Sequence, residues 1–204
     1  MNFINPVGPK FEGDGVKAWW KVLDFTSQVW INCEHQVNMY GNSCGSLFAS
    51  VGNNFRDRKA ISAGSNTINQ PVSIFYSLAL EFGKHIDSEV FGKEAALMAI
   101  FFIKWAAFLE KMNSLSFNIL IDGFCESMNH VDNLKSYWSD PMLECLQTGR
   151  KTIEKIRSRN DISKILQSAA SNVEIAAAKH KGSSGSHLVG ITFRAIFQAL
   201  KMSI

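Results

Sequence analysis

Ala95-Ala96-Leu97-Met98-Ala99-Ile100-Phe101-Phe102-Ile103-Lys104-Trp105-Ala106-Ala107-Phe108-Leu109 is the most apolar run in the chain, 15 residues broken only by Lys104. A membrane-spanning helix needs about 20 residues with few charges, so this run predicts a helix buried in a protein core. Working outward, the same kind of pattern recurs. Trp19, Trp20, Leu23, Val29 and Trp30 stand at helical steps from Val16, and Val37, Tyr40, Cys44, Leu47, Phe48 and Val51 repeat the spacing after a polar break at Asn32 to His35. No stretch alternates with period two, and β-branched residues nowhere cluster as strands require. The fold class read from the sequence is therefore all-α, about eight antiparallel amphipathic helices in an up-and-down bundle or barrel.

The punctuation gives the expected boundaries. Residues 1–12 hold two of the four prolines and form an extended arm; 13–204 is one helical domain, because no linker or charge block divides it. Asn53 to Asn69 reads as a loop, and Pro71 sits in the first turn of a helix through His85. Asp87 or Ser88 caps a long helix to Met112, and Ser114 or Ser116 opens a fifth. Asp140-Pro141 starts a short sixth. An amphipathic stretch then runs from Thr148 to about Lys179 with a break near Asn160-Asp161. Gly182 to Ser186 reads as a flexible loop before a last helix from His187 to Ile204.

Composition excludes several classes. With 46% apolar and 19% charged residues the chain is globular rather than disordered, and a net charge of +3 is too small to argue for nucleic acid. Cys33, Cys44, Cys125 and Cys145 form no paired motif for zinc or redox chemistry, so reduced, packed thiols are expected. The N-terminus lacks the basic and apolar regions of a secretory signal, so an intracellular, cytoplasmic rather than organellar, location is expected.

Three stretches carry a resemblance. The first is Ser27-Gln28-Val29-Trp30-Ile31-Asn32-Cys33-Glu34-His35-Gln36-Val37-Asn38-Met39. The second is Gly92-Lys93-Glu94-Ala95-Ala96-Leu97-Met98-Ala99-Ile100-Phe101-Phe102-Ile103-Lys104, and the third is Lys181-Gly182 followed by Val189-Gly190-Ile191-Thr192-Phe193. In order, spacing and total length these are similar to the nucleotide-binding L subunit of dihydroxyacetone kinases. Its corresponding patterns are Asp-x-x-x-x-Asp-x-Asp-His-Gly-x-Asn-Met, Gly-x-Ser-Gly-Pro-Leu-Phe-Gly-x-Phe-Phe-Ile-Arg, and a Lys-Gly loop followed by Gly-Ala-Thr-Ser.

The resemblance implies a barrel of helices whose first loop holds two magnesium ions on the nucleotide phosphates. Magnesium asks for hard oxygen ligands, and phosphoryl transfer relies on it to neutralise charge. The three aspartates become Ser27, Asn32 and Glu34 here, with Asp24 as a substitute one turn earlier; Asp24, Asn32 and Glu34 are thus the vestigial metal positions. His35, Asn38, Gly92 and Thr192 are the degenerate cofactor-binding positions. Lys93 and Glu94 replace the small Ser-Gly pair of the family, and a carboxylate there repels phosphate.

No catalytic residue is assigned. His35 reads either as a retained phosphate or metal contact or, more commonly for such a residue, as a capping or surface histidine. His130 with Asp132 and His180 with His187 read as solvated loop groups, and the Trp19-Trp20 pair, if exposed, as a partner surface. The expectation is a non-catalytic subunit or interaction module with no bound cofactor, working with a protein partner such as a K-type kinase subunit or a larger assembly, and with neither nucleic acid nor membrane insertion. The rival is an active ATP-dependent small-ketose kinase subunit binding Mg-ADP or Mg-ATP through an altered metal site. A third reading is an unrelated helical scaffold subunit.

Overall fold

The computed structural model describes residues 15–41, 44–62, 70–113, 116–134, 140–156 and 161–202. The arm at 1–12, Ser114 and Trp138 lie outside them. Among the described residues there are eight α-helices and no β-strand: α1 Gly15–Asn38, α2 Cys44–Ser62, α3 Gln70–Gly83, α4 Gly92–Leu109, α5 Phe117–Asp132, α6 Pro141–Ile156, α7 Ile162–Lys179 and α8 Ser184–Lys201. The all-α expectation holds.

Each helix packs on the next, and α8 returns to α1, so the bundle closes into a ring. Specific contacts fix the directions. Trp20 of α1 stacks on Phe55 of α2 at 5.4 Å, while Gly45 at the start of α2 lies against Glu34 and Asn38 near the end of α1. Those two helices are therefore antiparallel. Glu174 pairs with Arg194, and Gly190 lies against Ala177, so α7 and α8 are antiparallel too. The ring closes through Trp30, 3% exposed, whose Nε1 donates to Thr192 Oγ1 at 2.8 Å, and through Tyr40 stacked on His187.

Aromatic side chains fill the interior. Phe75, Phe82, Phe101, Phe102, Trp105 and Phe124 meet in stacked and edge-on pairs across α3, α4 and α5. The apolar run from Ala95 to Leu109 supplies the middle of this layer, and its one lysine, Lys104, is kept out of the core. Gly123 of α5 lets α4 approach: a Cβ there would stand 2.6 Å from the Trp105 indole.

Several boundaries differ from those expected. There is no break at Asn32 to His35: α1 continues to Asn38, because Asn32, His35 and Gln36 lie on its outer face while Trp30 and Val37 are buried. Asn32 Oδ1 accepts from Gln28 one turn earlier, at 3.0 Å, which suits a helix surface. The chain turns instead at Gly41, whose φ of +102° is left-handed and whose α-carbon faces the Gly182 carbonyl closely. Accordingly α2 starts at Cys44, and it runs on to Ser62 through residues read as a loop, since Phe55 is buried.

Asp87 and Ser88 do not cap α4. They lie in a series of turns, and the helix begins at Gly92 with no side-chain cap, the Ser88 carbonyl accepting from the Phe91 and Gly92 N–H groups. The Ser116 cap does hold, as its oxygen accepts from Ile119 N, and so does Asp140, whose Oδ1 accepts from Met142 N at 2.8 Å. The sixth helix is not short, because it absorbs the start of the amphipathic stretch, and Asp161 caps α7 where the break was expected. Ser183 caps α8, so Ser184 to Ser186 form its first turn rather than a loop. Trp19 is buried and Trp20 packs on Phe55, so this pair serves the core and not a partner surface.

Candidate functional site at the mouth of the ring

In an up-and-down ring the even helices all begin at one end. Here the starts of α2, α4, α6 and α8 meet there, joined by contacts between far-apart residues. Lys93 Nζ lies 3.1 Å from Asp140 Oδ2, linking α4 to α6. Cys44 of α2 sits beside Ser184 of α8 and within reach of the Glu94 and Asp140 charges. Gly185 of α8 packs on Met142 of α6, and the Cys145 thiol is within hydrogen-bonding reach of the Ser186 side chain. Each helix start presents unpaired N–H groups and a partial positive charge, so four together form an electropositive cup that favours an anion.

The protein fills that cup with its own carboxylates. Asp140 is only 7% exposed and caps α6 while holding Lys93. Glu94, half-buried in the first turn of α4, has its pKa raised by burial and further by repulsion from Asp140, against the lowering effect of its own backbone hydrogen bond and of Lys93. A thiol at a helix start ordinarily becomes more acidic. Cys44 does the opposite: burial, and then the Glu94 and Asp140 charges, push it far up, although Ser184 opposes the shift. Burial likewise takes Cys145 up to about 11 in spite of its bond to Ser186. Both thiols stay protonated at neutral pH, which removes them as nucleophiles.

The positions singled out in the sequence distribute unevenly over this geometry. Asn38 and Gly92 are at the mouth. Asn38 Nδ2 donates to Ser46 Oγ at 2.9 Å, while its Oδ1 is buried without a partner. His35 is exposed one turn before the end of α1. Thr192 is elsewhere: it accepts from Trp30 and donates to the Leu188 carbonyl at 2.8 Å, a structural link between α1 and α8.

Asp24, Asn32 and Glu34 are not brought together. All three lie on one continuous helix, where ten residues from Asp24 to Glu34 span about 15 Å. Asp24 lines a shallow groove with Lys21 and Arg56 toward the other end of the ring. Ser27 is buried and donates to the Leu23 carbonyl at 2.8 Å. Among the described residues no group of three or more His, Cys, Asp or Glu side chains is placed to hold a metal.

Of the residues in the two histidine pairs, only His180 lies in a connection, just past the end of α7; His130, Asp132 and His187 are on helices. His180 ends α7 and lies 3.1 Å from Glu144, and His187 stacks under Tyr40, with burial lowering its pKa. Asp132 ties α5 to α6 through Gln147 and Arg150, both at 2.6 Å, while His130 lies 3.7 Å from Glu126 on α5. The sequence reading missed Asp140 and Ser184 as site residues. Asp140 carried a signal, the Asp-Pro pair, but a cap explained it fully; Ser184 lay within a segment taken for loop.

Away from the mouth, an apolar cavity of about 110 Å³ sits in the ring's centre among Trp19, Trp30, Phe101, Trp105 and Leu120. No described helix is long and apolar enough to cross a membrane. Compared with known proteins, the chain matches no family model, no curated protein and no solved structure.

Proposed function

We propose that this chain is a non-catalytic relative of the L subunit of dihydroxyacetone kinases, a ring of helices that keeps the family's architecture and serves as a subunit or interaction module for a protein partner. One observation carries the reading. The three stretches that resemble the family are far apart in sequence, yet the end of α1, the start of α4 and the turn before α8 meet at one mouth. There the Lys93–Asp140 ion pair and the Glu94 carboxylate stand where nucleotide phosphates would approach.

The electrostatics of the mouth support the non-catalytic reading. Magnesium-bound phosphates carry net negative charge, and an active site meets them with a metal held by carboxylates together with helix starts. In this chain the helix starts are already complemented by Asp140 and Glu94, and the α1 positions that would hold metal point to different sides of one helix. An entering phosphate has to compete with Asp140 for Lys93 and face two carboxylates.

Titration calorimetry of the full chain with Mg-ADP, and separately Mg-ATP, tests this. The reading expects no saturable heat up to millimolar nucleotide. Stoichiometric binding with a dissociation constant in the micromolar range would replace it with the active-subunit reading.

A further inference from the structure

We infer that the outer face of α3 and α4 is a docking surface for a second copy of this chain, related by a two-fold axis with the two α4 helices antiparallel. Most of the ring's outside is charged. α6, α7 and α8 carry the Arg150–Glu154 and Arg194–Glu174 pairs, and α7 starts with Lys164 against Asp161. The α3–α4 face differs: Tyr76 is 41% exposed, Leu80 56% and Ile103 43%, with half-buried Ile100, Ala96 and Ala107 between. Large apolar side chains left outside and grouped in this way mark an interface.

The order of residues along the outer ridge of α4 says what covers it. Read outward from a point between Phe101 and Phe102, the ridge is symmetric: Ile100 mirrors Ile103, Ala96 mirrors Ala107, and Lys93 mirrors Glu110. All six fall within about 100° of the helix circumference. An isologous contact requires a patch that fits itself, with residue i meeting j and j meeting i. Antiparallel pairing of this ridge sets Ile100 on the partner's Ile103, lets the two chains approach at the small Ala96 and Ala107 positions, and brings opposite charges together at both ends. Lys93 keeps its bond to Asp140 and retains 41% of its side-chain surface for this contact. Tyr76 and Leu80 of α3 then lie beside the same residues of the partner. The remaining cation, Lys104, is on the flank toward α5, at the rim. A foreign partner would not require this mirror order, and a single-signed patch would repel its own copy.

The inference uses the outside of α3 and α4 and shares only Lys93 with the mouth, so its test, which changes Ala96, Ile103 and Ala107, is independent of the reading of the mouth. Sedimentation velocity of the full chain from about 1 to 100 µM, together with mixing of two single variants under mild oxidation, tests it. The expected result is a concentration-dependent dimer. Ala96→Cys mixed with Ala107→Cys gives a cross-linked dimer, while each variant alone gives none, because like positions are separated by about 16 Å along the helix. Ile103→Glu, which enters the interface twice, raises the dimer dissociation constant by about 30-fold or more with its helical signal unchanged. A monomer throughout the range overturns the proposal. So does a dimer that ignores Ile103→Glu, or one in which Ala96→Cys links to itself.

Discussion

Replacing Thr192 with Val changes almost no volume but removes the oxygen that accepts from the Trp30 indole across the closure of the ring. The Trp30 Nε1–H then stays in a site where its residue is 3% exposed, with its acceptor gone and a cavity of apolar side chains beside it. Leaving a buried donor unsatisfied costs about 1–3 kcal/mol, whereas removing both partners costs less. The Leu188 carbonyl loses its bond from the Thr192 hydroxyl as well but keeps its place in the helix ladder. For a 204-residue chain each kcal/mol lowers the melting midpoint by about 2–4 °C, so a loss near 2 kcal/mol is about 4–8 °C. The assay is thermal denaturation followed by helical dichroism at 222 nm, run as a cycle with Trp30→Phe. The double variant should be less destabilised than the sum of the singles by about 1 kcal/mol. A Thr192→Val midpoint within 1 °C of the parent, or strict additivity with Trp30→Phe, would refute the closure of α1 on α8 through this bond.

The remaining expectations concern packing and pH. Gly123→Ala should destabilise by about 1–3 kcal/mol, because its Cβ would stand 2.6 Å from Trp105, whose ring is held by Phe75, Phe101 and Phe124; urea denaturation measures it. Burial lowers the His187 pKa below its ordinary 6.5, so below that pH the unfolded chain takes up a proton the folded one resists. The resulting stability is present above 6.5 and declines as pH falls, and His187→Phe, which keeps a ring against Tyr40, should flatten that step. Glu94 has the opposite sign. Its folded pKa lies above the ordinary 4.5, so the folded state holds the extra proton and stability falls as pH rises through the window above 4.5. Glu94→Gln should remove this fall in melts recorded at successive pH values.

What burial dictates is legible in the sequence, and what the direction of a side chain decides is not. The α4 run was legible because an apolar stretch of that length, broken only by Lys104, has one place to go. The Ser116 and Asp140 caps were legible because a short polar side chain before an apolar periodic run has a specific backbone N–H to bind. The end of α1 was misplaced because Asn32, His35 and Gln36 look like a break in one dimension. On a helix whose inner face carries Trp30 and Val37 they are simply the outer face. Gly41 was the true break, but its left-handed φ depends on the Gly182 carbonyl packed above it, 141 positions later in the chain. The mouth was half legible: Glu94 stood out, while Asp140 acquires its second role only when α4 brings Lys93 to it.

The proposal that the mouth does not take up a magnesium-bound nucleotide stands or falls on the melting midpoint of the full chain with and without Mg-ADP. A ligand at 100 times its dissociation constant adds about 2.7 kcal/mol to the folded state, which for a chain of this size is a rise of about 5 to 10 °C. No rise is expected at millimolar Mg-ADP. A rise of that size, abolished by a chelator, would contradict it.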